Sequence, residues 1–359
     1  MKIVFLNHFI SGGGAERVTC LLADKLQKSG HAVIMMTDLF HPFAYHVDES
    51  VRKVKLFNTE KEAHSRGYLY YMIRNTRAML KREQPDVIIG VLPIMNLVAI
   101  LAAKGLKTKV IASHHTSFDR RENIHIMVIK NQVYKWADAV TVLTQADYDY
   151  LGKRLPKKVV MPNPLAYPCV NTPVGNRRKN IVAVGRLDVW QIKGFDLLIE
   201  AWSRIAKDYP DWQLEIAGGG KECSFEEIKR IAKDNGVLHR VNFLGFRKDI
   251  DAVMRESSIF ALTSRIEGFG MVLIEAMSQG CACVSFDDGG RQREIIQDDK
   301  EGIVIDGHNP EALSDALKKL IEDDRLRYDI AENGIKRADS YNIDIIAKKW
   351  ENLINRIVL

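Results

Sequence analysis

Twice along this chain, short runs of apolar residues alternate with longer stretches whose apolar positions recur at helical spacing, and a proline-rich segment separates the two series. The first series has strand-like runs at 3–7, 32–37, 86–91, 109–113, 139–143 and 157–161. The second has them at 180–185, 213–217, 240–244, 259–262, 281–285 and 302–305. Runs so short and so uniformly apolar leave no face for solvent, so they predict parallel strands covered by helices on both sides. The expected class is therefore α/β, with two doubly wound, Rossmann-like parallel sheets. At 359 residues the chain has about twice the length of an ordinary domain, which two cores require.

Residues 162–178 contain Pro162, Pro164, Pro168 and Pro173 and little periodicity, which marks a linker. The first domain is expected over 1–165 and the second over 175–338. The stretch 341–359 carries Ile343, Ile345, Ile346, Trp350, Leu353 and Ile354 at roughly helical spacing. Periodicity alone allows this helix to complete the second domain or to return to the first; we expect it on the first.

Several classes of protein are disfavoured. The five cysteines follow no metal-ligand or disulfide spacing, and Cys281 and Cys283 alternate with Ala282 as buried strand residues do. A reducing, cytoplasmic setting is expected, with the inner face of the cell membrane as a place of work. The apolar start of the chain ends at Asn7 and enters a glycine turn, so it reads as a buried strand and not as a signal peptide. No stretch reaches the roughly 18 apolar residues of a membrane span. The net charge of +6 is concentrated: residues 61–135 hold 13 Lys and Arg against 5 Asp and Glu, a local balance of +8. Arg74, Arg77, Lys81 and Arg82 follow the aromatic run Tyr68-Leu69-Tyr70-Tyr71. This segment reads either as peripheral contact with an anionic membrane or as a solvated basic face with its tyrosines turned inward. No nucleic-acid-binding module accompanies the charge, so no nucleic-acid partner is expected.

The residues that bear chemistry fall at strand-to-helix junctions. Ser11-Gly12-Gly13-Gly14-Ala15-Glu16 joins the first strand to the first helix; it is either an anion-binding turn or a purely structural one. Ser113-His114-His115-Thr116 ends a strand where open sheets line their ligand crevice, with Asp119 and Arg120 beyond. Adjacent residues of a strand point oppositely, so one of the two histidines at most faces a ligand. In the second half, Gly185-Arg186 and Lys193-Gly194 place two cations at a junction suited to a diphosphate. Glu267-Gly268-Phe269-Gly270-Met271 then opens a helix that contains Glu275. Asp287-Asp288-Gly289-Gly290 is either a further ligand loop or a polar turn.

This ordered set resembles the retaining glycosyltransferases of family four, whose two Rossmann-like domains face each other across a cleft in the GT-B fold. The resemblance rests on Gly12-Gly13-Gly14 with Glu16, the His114 region, Pro162-Asn163-Pro164, Gly185-Arg186 with Lys193-Gly194, and Glu267-Gly268-Phe269-Gly270 through Glu275-Ala276. It implies that the second domain binds a nucleotide-sugar donor and the first an acceptor. Arg186 and Lys193 would hold the diphosphate, Glu275 the ribose and Glu267 the transferred sugar. Backbone N–H groups from Gly268, Phe269, Gly270 and Met271 would lie near the sugar or phosphates. Gly13 and Gly14 would approach the diphosphate, and His114 would contact an outer hydroxyl of the sugar. The acceptor side is expected to include Glu16, His115 and Arg120. His114, Arg186, Lys193 and Glu267 are the expected catalytic set. The family's Arg-to-Lys segment is compact, whereas Val189-Trp190-Gln191-Ile192 enlarges it here.

Family resemblance further implies retention of anomeric configuration, no cofactor and no bound metal. The donor is expected to be a UDP-sugar carrying a hexose or N-acetylhexosamine. The acceptor is expected to be a surface-glycan or lipid-linked oligosaccharide. Two other activities compete: a GT-B epimerase or phosphorylase, and a catalytically silent subunit that only binds sugar nucleotide or glycan.

Overall fold

The computed structural model describes residues 1–171, 175, 177–297 and 299–359. Part of the expected linker, at 172–174 and 176, lies outside the described residues. The chain divides into two compact domains, Met1–Ala166 with Ile343–Leu359, and Tyr167–Asn342.

The first domain is built on seven strands: β1 (Lys2–Leu6), β2 (Ala32–Thr37), β3 (Arg52–Lys55), β4 (Val87–Val91), β5 (Lys109–Ser113), β6 (Ala139–Val142) and β7 (Lys158–Val160). Their order is β3-β2-β1-β4-β5-β6-β7, and every pairing is parallel. The second domain has β8 (Arg178–Val184), β9 (Gln213–Ala217), β10 (Val241–Gly245), β11 (Ser257–Leu262), β12 (Ala282–Phe286) and β13 (Ile303–Ile305). Their order is β10-β9-β8-β11-β12-β13, again wholly parallel. Each sheet is thus doubly wound, with its order reversing beside the first strand: between β1 and β4, and between β8 and β11. That reversal sends the following loops to opposite sides and opens a crevice beyond the strands' carboxyl ends.

Burial explains which runs became strands. β4, β11 and β12 are buried along their whole length, as a sheet covered on both faces demands. β3 was not expected. Its residues Arg52, Lys53, Val54 and Lys55 carry no apolar run, because it is an edge strand with exposed side chains, where lysine discourages further pairing. Cys281 and Cys283 are buried, and all five cysteines are free thiols. Helix Ile343–Val358 belongs to the first domain. It lies along helix Gly14–Lys28, with Lys25 paired to Asp344 and His31 meeting Glu351 at 3.3 Å.

Candidate functional site

In the second domain the switch point is occupied by the segments that leave β8 and β11. Gly185 and Arg186 follow β8; a single turn, Leu187–Val189, leads into a helical turn, Trp190–Lys193. The four residues that enlarge this segment are therefore mostly helical, and they are tied down. Trp190 Nε1 donates to Glu227 at 2.8 Å. The backbone N–H of Arg265 donates to Ile192 O at 2.7 Å. The Arg265 guanidinium grips both Asp196 carboxylate oxygens, at 2.8 and 2.6 Å.

Glycine is required where the two segments touch. Gly194 has φ +67°, and a Cβ there would lie 1.9 Å from Thr263 O, which excludes any side chain. Thr263 Oγ1 in turn donates to Lys193 O at 3.0 Å. The result is a close backbone junction that delivers Lys193 to Glu267. Lys193 Nζ donates to Glu267 Oε1 at 2.7 Å, and Ser264 Oγ donates to the same oxygen at 2.7 Å. The pair is only 22% and 13% exposed at its side chains, so its charges are partly withdrawn from water. Arg186 is exposed, and among the described residues its guanidinium has no hydrogen-bond or ion-pair partner.

Beyond Glu267 the chain turns through Gly268 and Phe269 to Gly270, at φ +87°, which starts helix Met271–Ser278 without a side-chain cap. First-turn amides of an uncapped helix are free to meet an anion. The Phe269 side chain is buried edge-on against Tyr341, at 5.5 Å between ring centres, so only its backbone is offered to a ligand. Glu275 lies within this helix and is 5% exposed.

Two groups position Glu267, and sequence singled out only the loop that carries the second. Ser264 is one. The other is Asp288, whose Oδ2 accepts the backbone N–H of Glu267 at 2.8 Å. Asp288 is held from below: its own N–H donates to Gln292 Oε1 at 2.7 Å, and buried Arg291 donates to its carbonyl at 3.0 Å. The Asp287-Asp288-Gly289-Gly290 loop is thus a polar turn that supports Glu267. Sequence offered only the signal of paired aspartates after a strand.

In the first domain the glycine turn carries an internal anion. Glu16 accepts the N–H of Ser11, of Gly12 at 2.8 Å and of Gly13 at 3.1 Å. Its carboxylate thus shapes the turn, and the Gly13 amide is committed to it. Gly14 remains exposed at the start of the helix. The two histidines after β5 also differ. His114 is 1% exposed, and its ring nitrogens meet Tyr134 Oη at 3.3 Å and Thr116 Oγ1 at 3.0 Å. Burial, reinforced by Lys130 and His115, drives its pKa well below the ordinary value. His115 meets Ser113 Oγ through Nε2 at 3.0 Å; its buried Nδ1 makes no hydrogen bond of good geometry, although the Asn163 side chain acts on the ring and partly offsets the effect of burial. Burial lowers its pKa to about 4, so it is neutral near pH 7. Arg120 is exposed, and among the described residues it makes no hydrogen bond or ion pair.

Among the described residues there is no group of three or more His, Cys, Asp and Glu able to hold a metal. Asp-x-Asp spacing does occur at Asp147-Tyr148-Asp149 and Asp249-Ile250-Asp251. Asp147 accepts from the helix-capping Thr144 hydroxyl and from Phe118 N–H; Asp249 and Asp251 pair with Arg247 and Arg255.

Sequence comparison accounts for both halves of the chain. Residues 12–165 match the model of Glycosyltransferase Family 4, and residues 171–337 match that of Glycosyl transferases group 1. The chain belongs to the family-four, group 1 glycosyltransferases. Among the similar members of this glycosyltransferase family is an alpha-1,4-N-acetyl-D-galactosaminyltransferase of Campylobacter jejuni, named for a PP-undecaprenol-linked substrate. It is 25% identical over 99% of both chains. The amylovoran biosynthesis glycosyltransferase of Erwinia amylovora is 29% identical over 98% of this chain and 99% of its own. In structure, Anabaena HepE in complex with UDP superposes with a TM-score of 0.82 at 20% identity, covering 99% of this chain and 100% of that one. This likeness shows the GT-B fold. The chain is accordingly a nucleotide-sugar-dependent glycosyltransferase that transfers a sugar to a glycan or lipid-borne acceptor.

Proposed function

We propose that this enzyme transfers a hexose or N-acetylhexosamine from a UDP-sugar to a hydroxyl of a surface-glycan or lipid-linked oligosaccharide, with retention of anomeric configuration and without a metal. The observation that carries the reading is the Lys193–Glu267 pair at the switch point of the second sheet, beside the uncapped helix at Met271. Arg186 and Lys193 are assigned to the diphosphate, where two cations offset the charge that builds on the departing nucleotide. The free amides at Gly270 and Met271 add dipoles of the same sign. Glu267 is assigned to the hydroxyls of the transferred sugar, and Glu275 to the ribose.

In the first domain, the Nδ1 of His115, which makes no hydrogen bond of good geometry, favours this residue over His114 as the group that meets the sugar; His114 already has partners at both nitrogens. Arg120 is assigned to the acceptor, and the exposed Gly14 amide to the donor. In the reaction, the bond from the anomeric carbon to the phosphate oxygen breaks and the acceptor oxygen takes its place on the same face. The acceptor's proton passes to the departing phosphate, so no protein nucleophile or base is needed. The UDP named in the HepE complex and the lipid-linked saccharide named for the Campylobacter relative support the donor and acceptor classes. The test is product analysis with UDP- and GDP-sugars against soluble and lipid-linked acceptors. Acceptor-dependent product with the donor's anomeric configuration is expected. An inverted product removes the same-face mechanism, and donor isomerisation without acceptor removes transfer.

A further inference from the structure

We propose that the outer face of the helical layer formed by Tyr68–Glu83, Pro93–Ala103 and Ile124–Asn131 is a docking surface for an anionic lipid bilayer. These three helices pack side by side in the first domain. Their inner faces fill its core, as Met72, Met79, Met95, Val98 and Ile129 show. Their outer faces should then be polar. They are not. Tyr70 is 64% exposed, and Ile124, Met127 and Val128, at helical spacing on one side, are 65%, 43% and 48% exposed. Between them, Ile94, Leu97 and Leu101 of the middle helix are only half-buried. Just beyond, Trp136 is 64% exposed. Exposed apolar side chains gathered on adjoining helices mark a place where something binds.

Charge decides what binds. Arg74 lies over the rings of Tyr70 and Tyr71 at 5.9 and 4.9 Å, and Lys104 lies over Trp136 at 5.9 Å. The Arg77 guanidinium donates to the carbonyls of Ala102 and Lys104, which ties the first helix to this lysine. Arg120, Arg121 and Lys135 are exposed beside the third helix. Of the neighbouring carboxylates, Glu62 pairs with Arg74 at 2.6 Å, Glu122 is taken by buried Lys130 at 3.0 Å, and Glu83 by Arg52 and Arg82 at 2.6 and 3.0 Å, so that among the described residues Arg120, Arg121 and Lys135 keep their charge without an ion pair. Cations are therefore mixed among aromatic and aliphatic side chains. A protein interface segregates charge, lysine above all, from its apolar centre. A bilayer surface accepts the mixture, with Trp and Tyr at headgroup level and Lys and Arg against anionic lipid. The tyrosines are accordingly not all turned inward: Tyr68 and Tyr70 are exposed.

The proposal deepens the acceptor reading, since a lipid-linked glycan is met at a bilayer, but its test uses neither donor nor acceptor. The full chain is floated with vesicles of phosphatidylethanolamine and phosphatidylglycerol, and separately with vesicles of phosphatidylcholine alone. Wild type is expected to float with the anionic vesicles only, and less as salt rises. Ile124→Ser, Met127→Ser and Val128→Ser together should weaken binding by about tenfold or more. Arg120→Gln, Arg121→Gln and Lys135→Gln should each weaken it by about fivefold. Trp136→Ala, read the same way, replaces the triple change should that variant melt early. Absence of wild-type flotation, or variants that bind as wild type does, overturns the proposal. Self-association that the triple change abolishes, with no vesicle binding, gives the face to a second copy and also overturns it. Any of these results leaves the transferase assay standing.

Discussion

Replacing Lys193 by Met keeps the length of the side chain and removes its charge, which separates two jobs of this residue. In the free enzyme its ammonium serves Glu267 at 2.7 Å, with the two side chains 22% and 13% exposed. That is neither a surface pair, worth at most about 1 kcal/mol, nor a fully buried one, where removing one partner costs about 3–5 kcal/mol. A loss of about 1–3 kcal/mol is expected, which for domains of this size lowers the melting temperature by roughly 2–12 °C. In the reaction the same ammonium is assigned to the diphosphate. Losing one preorganised charge there costs about 100- to 1,000-fold in turnover. Lys193→Arg should restore it only in part, because a planar fork of donors replaces a compact point charge. Glu267→Gln supplies the control. It releases Lys193 from its carboxylate, so UDP should bind as well as to wild type or better while turnover falls. Calorimetric titration with UDP and donor-dependent release of nucleotide measure the two effects. The reasoning fails if Lys193→Met leaves UDP affinity and turnover unchanged, or if Glu267→Gln loses UDP binding as completely as Lys193→Met does.

Other residues give further expectations. His115→Ala should lower turnover with little effect on stability, whereas His114→Ala, which empties a buried site between Phe118 and Tyr134, should cost about 2–4 kcal/mol in melting experiments. The His115 pKa of about 4 lies below its unfolded value, so the unfolded chain binds the extra proton as pH falls through 6.5 toward 4. Stability should drop across that window by up to about 3 kcal/mol from this group, and His115→Gln should flatten the dependence. Asp288→Ala should reduce turnover while sparing UDP affinity, with Asp288→Asn partly restoring it, because the amide oxygen can still accept the Glu267 N–H. Gly194→Ala should destabilise the second domain by more than about 2 kcal/mol, given the 1.9 Å clash with Thr263 O, and should fail to bind UDP.

Most strands were legible because a sheet covered on both faces needs uninterrupted apolar runs; β2, β5 and β9 have the bounds that the runs suggest. β3 was not, since an edge strand written Arg-Lys-Val-Lys carries no such run. Helix Ile343–Val358 was legible as a helix, but its partner was not, because amphipathic spacing identifies a buried face without saying what covers it. At the site, sequence spacing brought out Lys193 and Glu267, 74 positions apart, as separate features. Their contact depends on the β8–β11 adjacency, which no local pattern encodes. The part Glu16 plays in the turn was not legible for a similar reason: a carboxylate three residues into a glycine-started helix can serve a ligand or the turn itself, and only the fold shows the three amides it accepts. Nor does strand alternation say which of His114 and His115 keeps a ring nitrogen without a hydrogen bond of good geometry, the observation on which our proposal of His115 rests.

The most direct test of the account is the product of a reaction with UDP-sugars and lipid-linked acceptor, its new linkage read by nuclear magnetic resonance. The account predicts acceptor-dependent glycoside with the same anomeric configuration as the donor, formed in the presence of a metal chelator. An inverted linkage, or activity abolished by the chelator and restored by a divalent ion, would contradict it.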